Sequence, residues 1–326
     1  MRRPLPHEQM SVASTADSRG SGATRIRVGN APCSWGIMGG FEPDPLPTYE
    51  RVLDEIAASG FAGTELGDWG FMPDDPATLH EQLARRGLQM IGAFTPVCLS
   101  DSDAHAESVK TALRAAHTLR ALCDQPSRSA GPYVILAEAS TPERMRVAGR
   151  VGPEHGPSEG QWRAIAAGAA RVAASVRQET GLPTVFHHHS GTPVETLEET
   201  ARFLDMTDPD LIGLCYDTGH FAYAGAGPLA ALRRFRDRVW HVHLKDFRAG
   251  LAERARRDRW DYHQAVANGL FCELSGGDID FPEILRYLVD TGYEGWVVVE
   301  DEMPPGACDP FENAKHDRAF LRSLGL

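Results

Sequence analysis

The sequence predicts an α/β fold, a closed (β/α)8 TIM barrel, on three observations. From Arg25 onward a short apolar run alternates with a longer amphipathic stretch, eight times over. Roughly 300 residues are available to these units, and barrels of this kind run to about 250 residues or more. No G-x-G-x-x-G follows the first apolar run, which weighs against the doubly wound dinucleotide fold, the runner-up.

Each unit has its own signal. The first strand spans 26–31, and the helix at 47–59 carries Val52, Leu53, Ile56 and Ala57 on one face before stopping at Gly60. Strand 61–66 leads to helix 77–86, which stops at Gly87, and strand 88–94 leads to helix 104–122. Strand 133–137 precedes a Gly-, Pro- and charge-rich segment, 142–160, which reads as a long loop. An Ala-rich helix follows at 161–180, ending at Gly181. The remaining strands are 184–189, 211–216, 239–244 and 295–300, with helices at 194–205, 229–235, 281–290 and 310–321. Residues 249–269 read as a helical insertion, and the acidic residues among its arginines mark a solvated face rather than a nucleic-acid patch. Residues 1–24 read as a flexible N-terminal extension, so 25–326 form a single barrel domain.

Composition narrows the function. With 33 Lys plus Arg against 45 Asp plus Glu in 326 residues, the net charge of -12 disfavours nucleic acid and anionic membrane as partners. No apolar run approaches the ~18 residues of a membrane span. Arg2-Arg3 is followed by a polar, Ser/Gly-rich segment with no apolar core, unlike a twin-arginine signal. The six cysteines are scattered without a C-x-x-C pair, which points to a reducing, cytoplasmic compartment.

The chemistry is expected at the strand ends, because barrel enzymes place reactive groups at the C-terminal mouth. Asp217 ends one apolar run, with His220 three residues on; alone, Asp217 reads equally well as a helix cap. His241, His243 and Lys245 alternate onto one face of a strand, where packing alone does not explain them. Glu300 follows three valines, while Asp301 and Glu302 read as loop surface. His187 and His189 share a face of the fifth strand; Glu65 and Glu138 end the second and fourth. Carboxylates and imidazoles collected from separate strands suit Mn²⁺, Fe²⁺, Co²⁺ or Zn²⁺ better than Ca²⁺ or Mg²⁺.

Several segments resemble the xylose-isomerase-like TIM-barrel superfamily of sugar isomerases and epimerases, and within it the inosose (2-keto-myo-inositol) dehydratases. They are Asn30-Ala31-Pro32-Cys33-Ser34-Trp35-Gly36, Gly63-Thr64-Glu65-Leu66-Gly67 and His187-His188-His189-Ser190-Gly191-Thr192, then Tyr216-Asp217-Thr218-Gly219-His220, His243-Leu244-Lys245-Asp246 and Gly277-Asp278-Ile279-Asp280-Phe281. The resemblance implies one divalent metal, Mn²⁺ or Co²⁺ favoured, held by Asp217, His243, Glu300 and a strand-five residue. The superfamily's strand-five Glu is replaced here by the histidine run, so His189 is the expected fourth ligand and His187 the alternative. It also implies dehydration of a keto-cyclitol through a metal-stabilised enediolate, with Lys245 as electrophile or acid. Glu65 and His187 are the candidate base and acid, and His220 completes the expected catalytic group. Trp35, Trp69 and Glu138 are the expected substrate contacts. The expected partner is a small cyclitol or keto-sugar, with a homo-oligomer left open. A sugar or keto-sugar isomerase/epimerase with the same metal is the alternative; an abasic-site endonuclease and a non-catalytic barrel are weaker ones.

Overall fold

The computed structural model describes residues 25–39, 45–304 and 306–326; the extension expected over 1–24 lies outside them. Ten strands are present among these residues: β1 (Ile26–Asn30), β2 (Gly63–Glu65), β3 (Gln89–Val97), β4 (Tyr133–Glu138), β5 (Thr184–His187), β6 (Ile212–Asp217), β7 (Val239–Leu244), β8 (Asp246–Phe247), β9 (Phe271–Cys272) and β10 (Gly295–Val299). Eight of them close into a parallel barrel in the order β1-β10-β7-β6-β5-β4-β3-β2, and β8 and β9 form a small antiparallel pair beside it. The ring closes in register, Ile26 beside Gly295 through Asn30 beside Val299.

The helices are α1 (Tyr49–Ser59), α2 (Pro76–Ala84), α3 (His105–Ala121), α4 (Pro142–Val147), α5 (Glu159–Thr180), α6 (Leu197–Asp205), α7 (Thr218–Tyr223), α8 (Pro228–Phe235), α9 (Ala249–Asp258), α10 (Tyr262–Ala267), α11 (Phe281–Asp290) and α12 (Pro310–Ser323). Most begin on a residue whose side chain accepts a backbone N–H, among them Thr48, Asp75, Ser158, Thr196, Asp280 and Asp309. Such a cap contributes about 1 kcal/mol. The helices press apolar faces such as Leu53, Ile56, Ile165, Val172 and Leu285 onto outward strand residues such as Leu214, Val242 and Val297. That layer is the main core, and it leaves the strands' inner faces to the barrel lumen.

The structure differs from the sequence reading at two places that matter for the site. The segment read as a loop over 142–160 holds α4 and a turn of 3₁₀ helix, Pro153–His155. Thr141 caps α4 through the Arg144 N–H, and the Arg144 guanidinium makes two bonds to Glu199, 2.7 and 2.8 Å, which fasten the segment to α6. A six-residue helix with Pro and charge has too little apolar period to show in sequence. The fifth strand stops at His187, so His188 and His189 lie on the turn beyond it.

The expected insertion is helical, made of α9 and α10 between β8 and β9. It has a small apolar core of its own, in which Ala252, Ala255, Tyr262, Ala265 and Val266 pack with Ala148, Tyr223, Leu270 and Phe271. No helix among the described residues is long and apolar enough to cross a membrane.

Candidate active site

A cavity of about 340 Å³ opens at the C-terminal mouth of the barrel. Its polar lining includes Glu65, Glu138, His187, His189, His243, Glu300 and Glu302, and its apolar lining includes Ile37, Met38, Phe94, Met145, Tyr262 and Val266.

Four side chains from four adjacent strands converge at its floor. His187 ends β5, Asp217 ends β6, His243 lies on β7 and Glu300 follows β10; one donor atom from each lies within 4.8 Å of the others. Strand register brings them together: Asp217 is the direct partner of His243, and Val298 pairs with His243 from the other side. His187 Nε2 is 3.5 Å from Asp217 Oδ2, and His243 Nδ1 is 3.2 Å from Glu300 Oε2. Asp217 does both things the sequence allowed. Its Oδ1 accepts the His220 N–H at 2.8 Å and caps α7, while its Oδ2 faces the floor group.

The donor set fits a divalent metal. His187 Nδ1 and Nε2, Asp217 Oδ2 and His243 Nδ1 are buried without a hydrogen-bond partner, a costly arrangement unless something else engages them. Two imidazoles and two carboxylates match borderline transition metals. Burial lowers the His187 pKa to about 4, so its imidazole is neutral and offers a lone pair. Cys215 lies beside His187 and His243, but burial pushes its thiol up to about 12, so it offers no thiolate.

Behind this floor stands Glu65. The Nε2–H groups of His241 and His243 both donate to its Oε1, at 2.8 and 2.9 Å. Burial opposes the charge on Glu65, but the two imidazoles prevail and hold its carboxyl at about 2. Glu65 therefore fixes the His243 ring with Nδ1 toward the floor. The base role expected for Glu65 does not suit a carboxylate engaged this way. Burial also works against a proton on His243, yet Cys215, Glu300 and Glu65 raise its pKa well above the ordinary value.

Beside the floor lies a second group, His189, His220 and Glu302, with donor atoms within 4.8 Å. The His189 Nδ1–H donates to the Ser190 carbonyl at 2.8 Å, which leaves Nε2 with its lone pair toward the cavity. His220 Nδ1 is 3.2 Å from Ser190 Oγ. Lys245 separates the two groups: its Nζ is 2.8 Å from Glu302 Oε1, 3.0 Å from Glu300 Oε2 and 3.8 Å from Asp217 Oδ2. Burial disfavours the ammonium, but Glu300, Glu302 and Asp217 outweigh it and raise its pKa well above normal. Lys245 is thus a fixed cation, which weighs against the expected acid role and is compatible with the electrophile one. A Cβ at position 219 would fall 2.7 Å from Lys245 Cγ, so Gly219 is what lets the lysine stem pass.

The sequence-predicted residues divide as follows. Asp217, His243 and Glu300 converge, and the strand-five member of their group is His187, while His189 joins the second group because β5 ends between them. Glu138 lines the cavity, but its two oxygens accept the Leu99 and Ser100 amides at 2.7 and 3.0 Å. Trp35 and Trp69 are not cavity walls. The Trp35 indole N–H donates to Glu55 on α1 at 2.6 Å, and Trp69 lies on the surface under the Arg114 guanidinium, 4.2 Å from its ring centre. Asp301 and Glu302, read as loop surface, are 1% and 8% exposed. The same alternation that grouped His241, His243 and Lys245 would have paired Glu302 with Glu300. Tyr262 had no signal in the sequence; it reaches the cavity from the insertion.

Residues 53–324 match the family described as the xylose isomerase-like TIM barrel. An inosose dehydratase of Geobacillus kaustophilus (strain HTA426) is 34% identical over 309 residues, which is 92% of this chain and 94% of that one. Among solved structures, an L-ribulose 3-epimerase superposes with a TM-score of 0.65 at 22% identity, over 92% of this chain and 94% of that one. The IolI protein with a bound zinc atom superposes with a TM-score of 0.65 at 14% identity, over 92% and 98%.

Proposed function

The chain belongs to the xylose isomerase-like TIM-barrel family, and from that premise we propose that it is a carbon–oxygen lyase that dehydrates a keto-cyclitol such as 2-keto-myo-inositol. The observation that carries the reading is the floor group: two imidazoles and two carboxylates, three of the four with unpartnered buried donor atoms, set in a cavity beside a second imidazole–carboxylate group. The extended similarity to inosose dehydratases selects dehydration from the reactions such a site supports.

His187, Asp217, His243 and Glu300 would hold one divalent metal, of which Mn²⁺, Co²⁺, Zn²⁺ and Fe²⁺ suit the donors. Bound there, such an ion would polarise the substrate carbonyl and stabilise the negative charge that develops when the adjacent carbon loses its proton. The rest falls to the protein. His189 Nε2 faces the cavity with a lone pair and accepts the proton from the carbon next to the carbonyl. The hydroxyl on the following carbon must leave with a proton, and His189 can return the one it took. One C–H and one C–O bond break, a C=C bond forms, and water departs. The product tautomerises to a 1,2-dione. Glu65 orients His243, and Lys245 balances the carboxylates around the floor.

Reprotonation at carbon instead of loss of hydroxide would give isomerisation or epimerisation at the same floor. The kinship in fold with an L-ribulose 3-epimerase keeps this as the second reading. Incubation of metal-loaded protein with 2-keto-myo-inositol separates the two: dehydration gives near-ultraviolet absorbance from the dione, dependent on metal and lost in His189→Ala. Deuterium exchange into recovered substrate or an epimer, with no absorbance change, would replace dehydration by the second reading. In the proposed function the partner is this small molecule, with neither nucleic acid nor membrane.

A further inference from the structure

Glu302 is a carboxylate at the barrel mouth outside the floor group, and it is held from both sides. Its Oε1 takes Lys245 Nζ at 2.8 Å, and its Oε2 accepts the Tyr262 hydroxyl at 2.6 Å. His189 Nε2 and His220 Nε2 stand 3.8 and 3.9 Å from Oε1. The composition of this group resembles a second metal site, but Lys245 already supplies its cation, which leaves it to polar chemistry.

Tyr262 comes from the other side of the cavity. It opens α10, whose Asp261 cap accepts the Gln264 N–H, and together with Val266 it forms the wall facing the floor. Its ring is edge-on to His189, with centroids 5.5 Å apart. Elsewhere the insertion is anchored by Arg256, which bonds the Gly149 and Tyr223 carbonyls, and by Arg150, which bonds the Trp260 carbonyl. The Tyr262–Glu302 bond is thus a direct polar link from the insertion to the barrel mouth. It is nearly buried and charge-assisted, the stronger kind of hydrogen bond.

We propose that the chain Tyr262–Glu302–Lys245 latches the helical insertion over the cavity, with Tyr262 as a specificity-determining wall against the substrate ring and Glu302 as the residue that positions it. The wall that sequence assigned to Trp35 and Trp69 is supplied instead by a tyrosine of the insertion. An aromatic face with a fixed hydroxyl suits the mixed apolar and polar surface of a cyclic polyol. The kinetic consequence rests on the proposed function; the latch itself does not.

The test uses Tyr262→Phe, which keeps the ring, Glu302→Gln, which keeps the shape, and the double variant. Hydrogen–deuterium exchange of the α10 amides is read in the full protein without substrate, and turnover of 2-keto-myo-inositol is read alongside. Each single variant is expected to speed α10 exchange about ten-fold. The double variant is expected to be no faster than Tyr262→Phe, because Glu302→Gln weakens the same bond that Tyr262→Phe removes. KM is expected to rise about ten-fold with a smaller fall in kcat, and metal content to stay at the wild-type value. Unchanged exchange, additive effects in the double variant, or loss of metal in Glu302→Gln would overturn the latch. If the wild type does not turn the ketone over, the proposed function fails, while the exchange cycle still decides the latch.

Discussion

Replacing Glu65 by Gln changes no atom of the floor group, yet it should weaken metal binding. Both imidazoles on β7 donate to one oxygen of Glu65, at 2.8 and 2.9 Å, and the His243 bond sets which ring nitrogen faces Asp217 and Glu300. A hydrogen bond to a charged group contributes about 1.5–3 kcal/mol net, against about 0.5–1.5 for a neutral one. An amide at position 65 therefore removes roughly 1–2 kcal/mol of support for the oriented, electron-rich ring. That corresponds to a loss of about five- to thirty-fold in affinity, within the range for residues that support a metal ligand. A competing proton modulates the loss. In the metal-free protein the surrounding groups, Glu65 among them, hold His243 protonated well above its ordinary pKa, so binding a metal must displace that proton. Without the Glu65 charge the proton is held less tightly. At low pH the weaker ligand is thus partly offset by weaker proton competition, and the deficit should widen as pH rises. Competition with a chromogenic chelator for Mn²⁺ or Co²⁺, at several pH values from 6 to 9, measures this directly. Circular dichroism confirms that the variant keeps its fold. An affinity equal to wild type at every pH, or a deficit that shrinks as pH rises, would refute the assignment of Glu65 as the support of His243.

Three further outcomes are expected. His187→Ala should lose bound metal by elemental analysis, whereas His189→Ala should retain it and lose turnover; the reverse pattern would return the fourth ligand to His189. Stripping metal with a chelator should abolish the formation of near-ultraviolet absorbance, and Mn²⁺ or Co²⁺ should restore it; full activity after verified stripping would sink the metal-dependent reading. Burial raises Asp301 from an ordinary aspartate value to about 7, although Asp317, whose own carboxyl burial holds protonated well above its ordinary value, shares its proton with Asp301 and so works the other way. Asp301 then binds more protons folded than unfolded, so its contribution is complete below about pH 4 and is lost as pH rises to about 7, by up to ~4 kcal/mol. Asp317→Asn keeps an oxygen for the Leu274 N–H and gives Asp301 a donor. It should raise Tm at pH 8 and flatten the decline between pH 5 and 8 in thermal melts, and a steeper decline would contradict the shared-proton account.

The barrel was legible because its signal is local and repeated: each strand is an apolar run, and each helix a periodic stretch with a cap. Asp217, His243 and Glu300 were legible for the same reason, as ionisable residues where an apolar run has no packing use for them. The errors fall where a side chain's partner is far away in sequence. Nothing in Gly29-Asn30-Ala31-Pro32-Cys33-Ser34-Trp35 says that the indole will turn outward to Glu55 on the next helix. His187 and His189 could not be told apart, because alternation assumes that a strand continues and β5 ends at the first of them. Glu302 shows what a stricter use of the same rule would have found. Two residues beyond Glu300, it faces the cavity as Glu300 does, and Asp301 between them turns into the protein toward Asp317. Reading Asp301 and Glu302 as loop surface treats their charge as solvated, whereas Lys245, on the same mouth-facing side as His243, requires more than one carboxylate to be tolerable there. A buried lysine in a strand reading is in that sense a count of the acids that must meet it, and here the count leads to Glu302 and through it to the insertion.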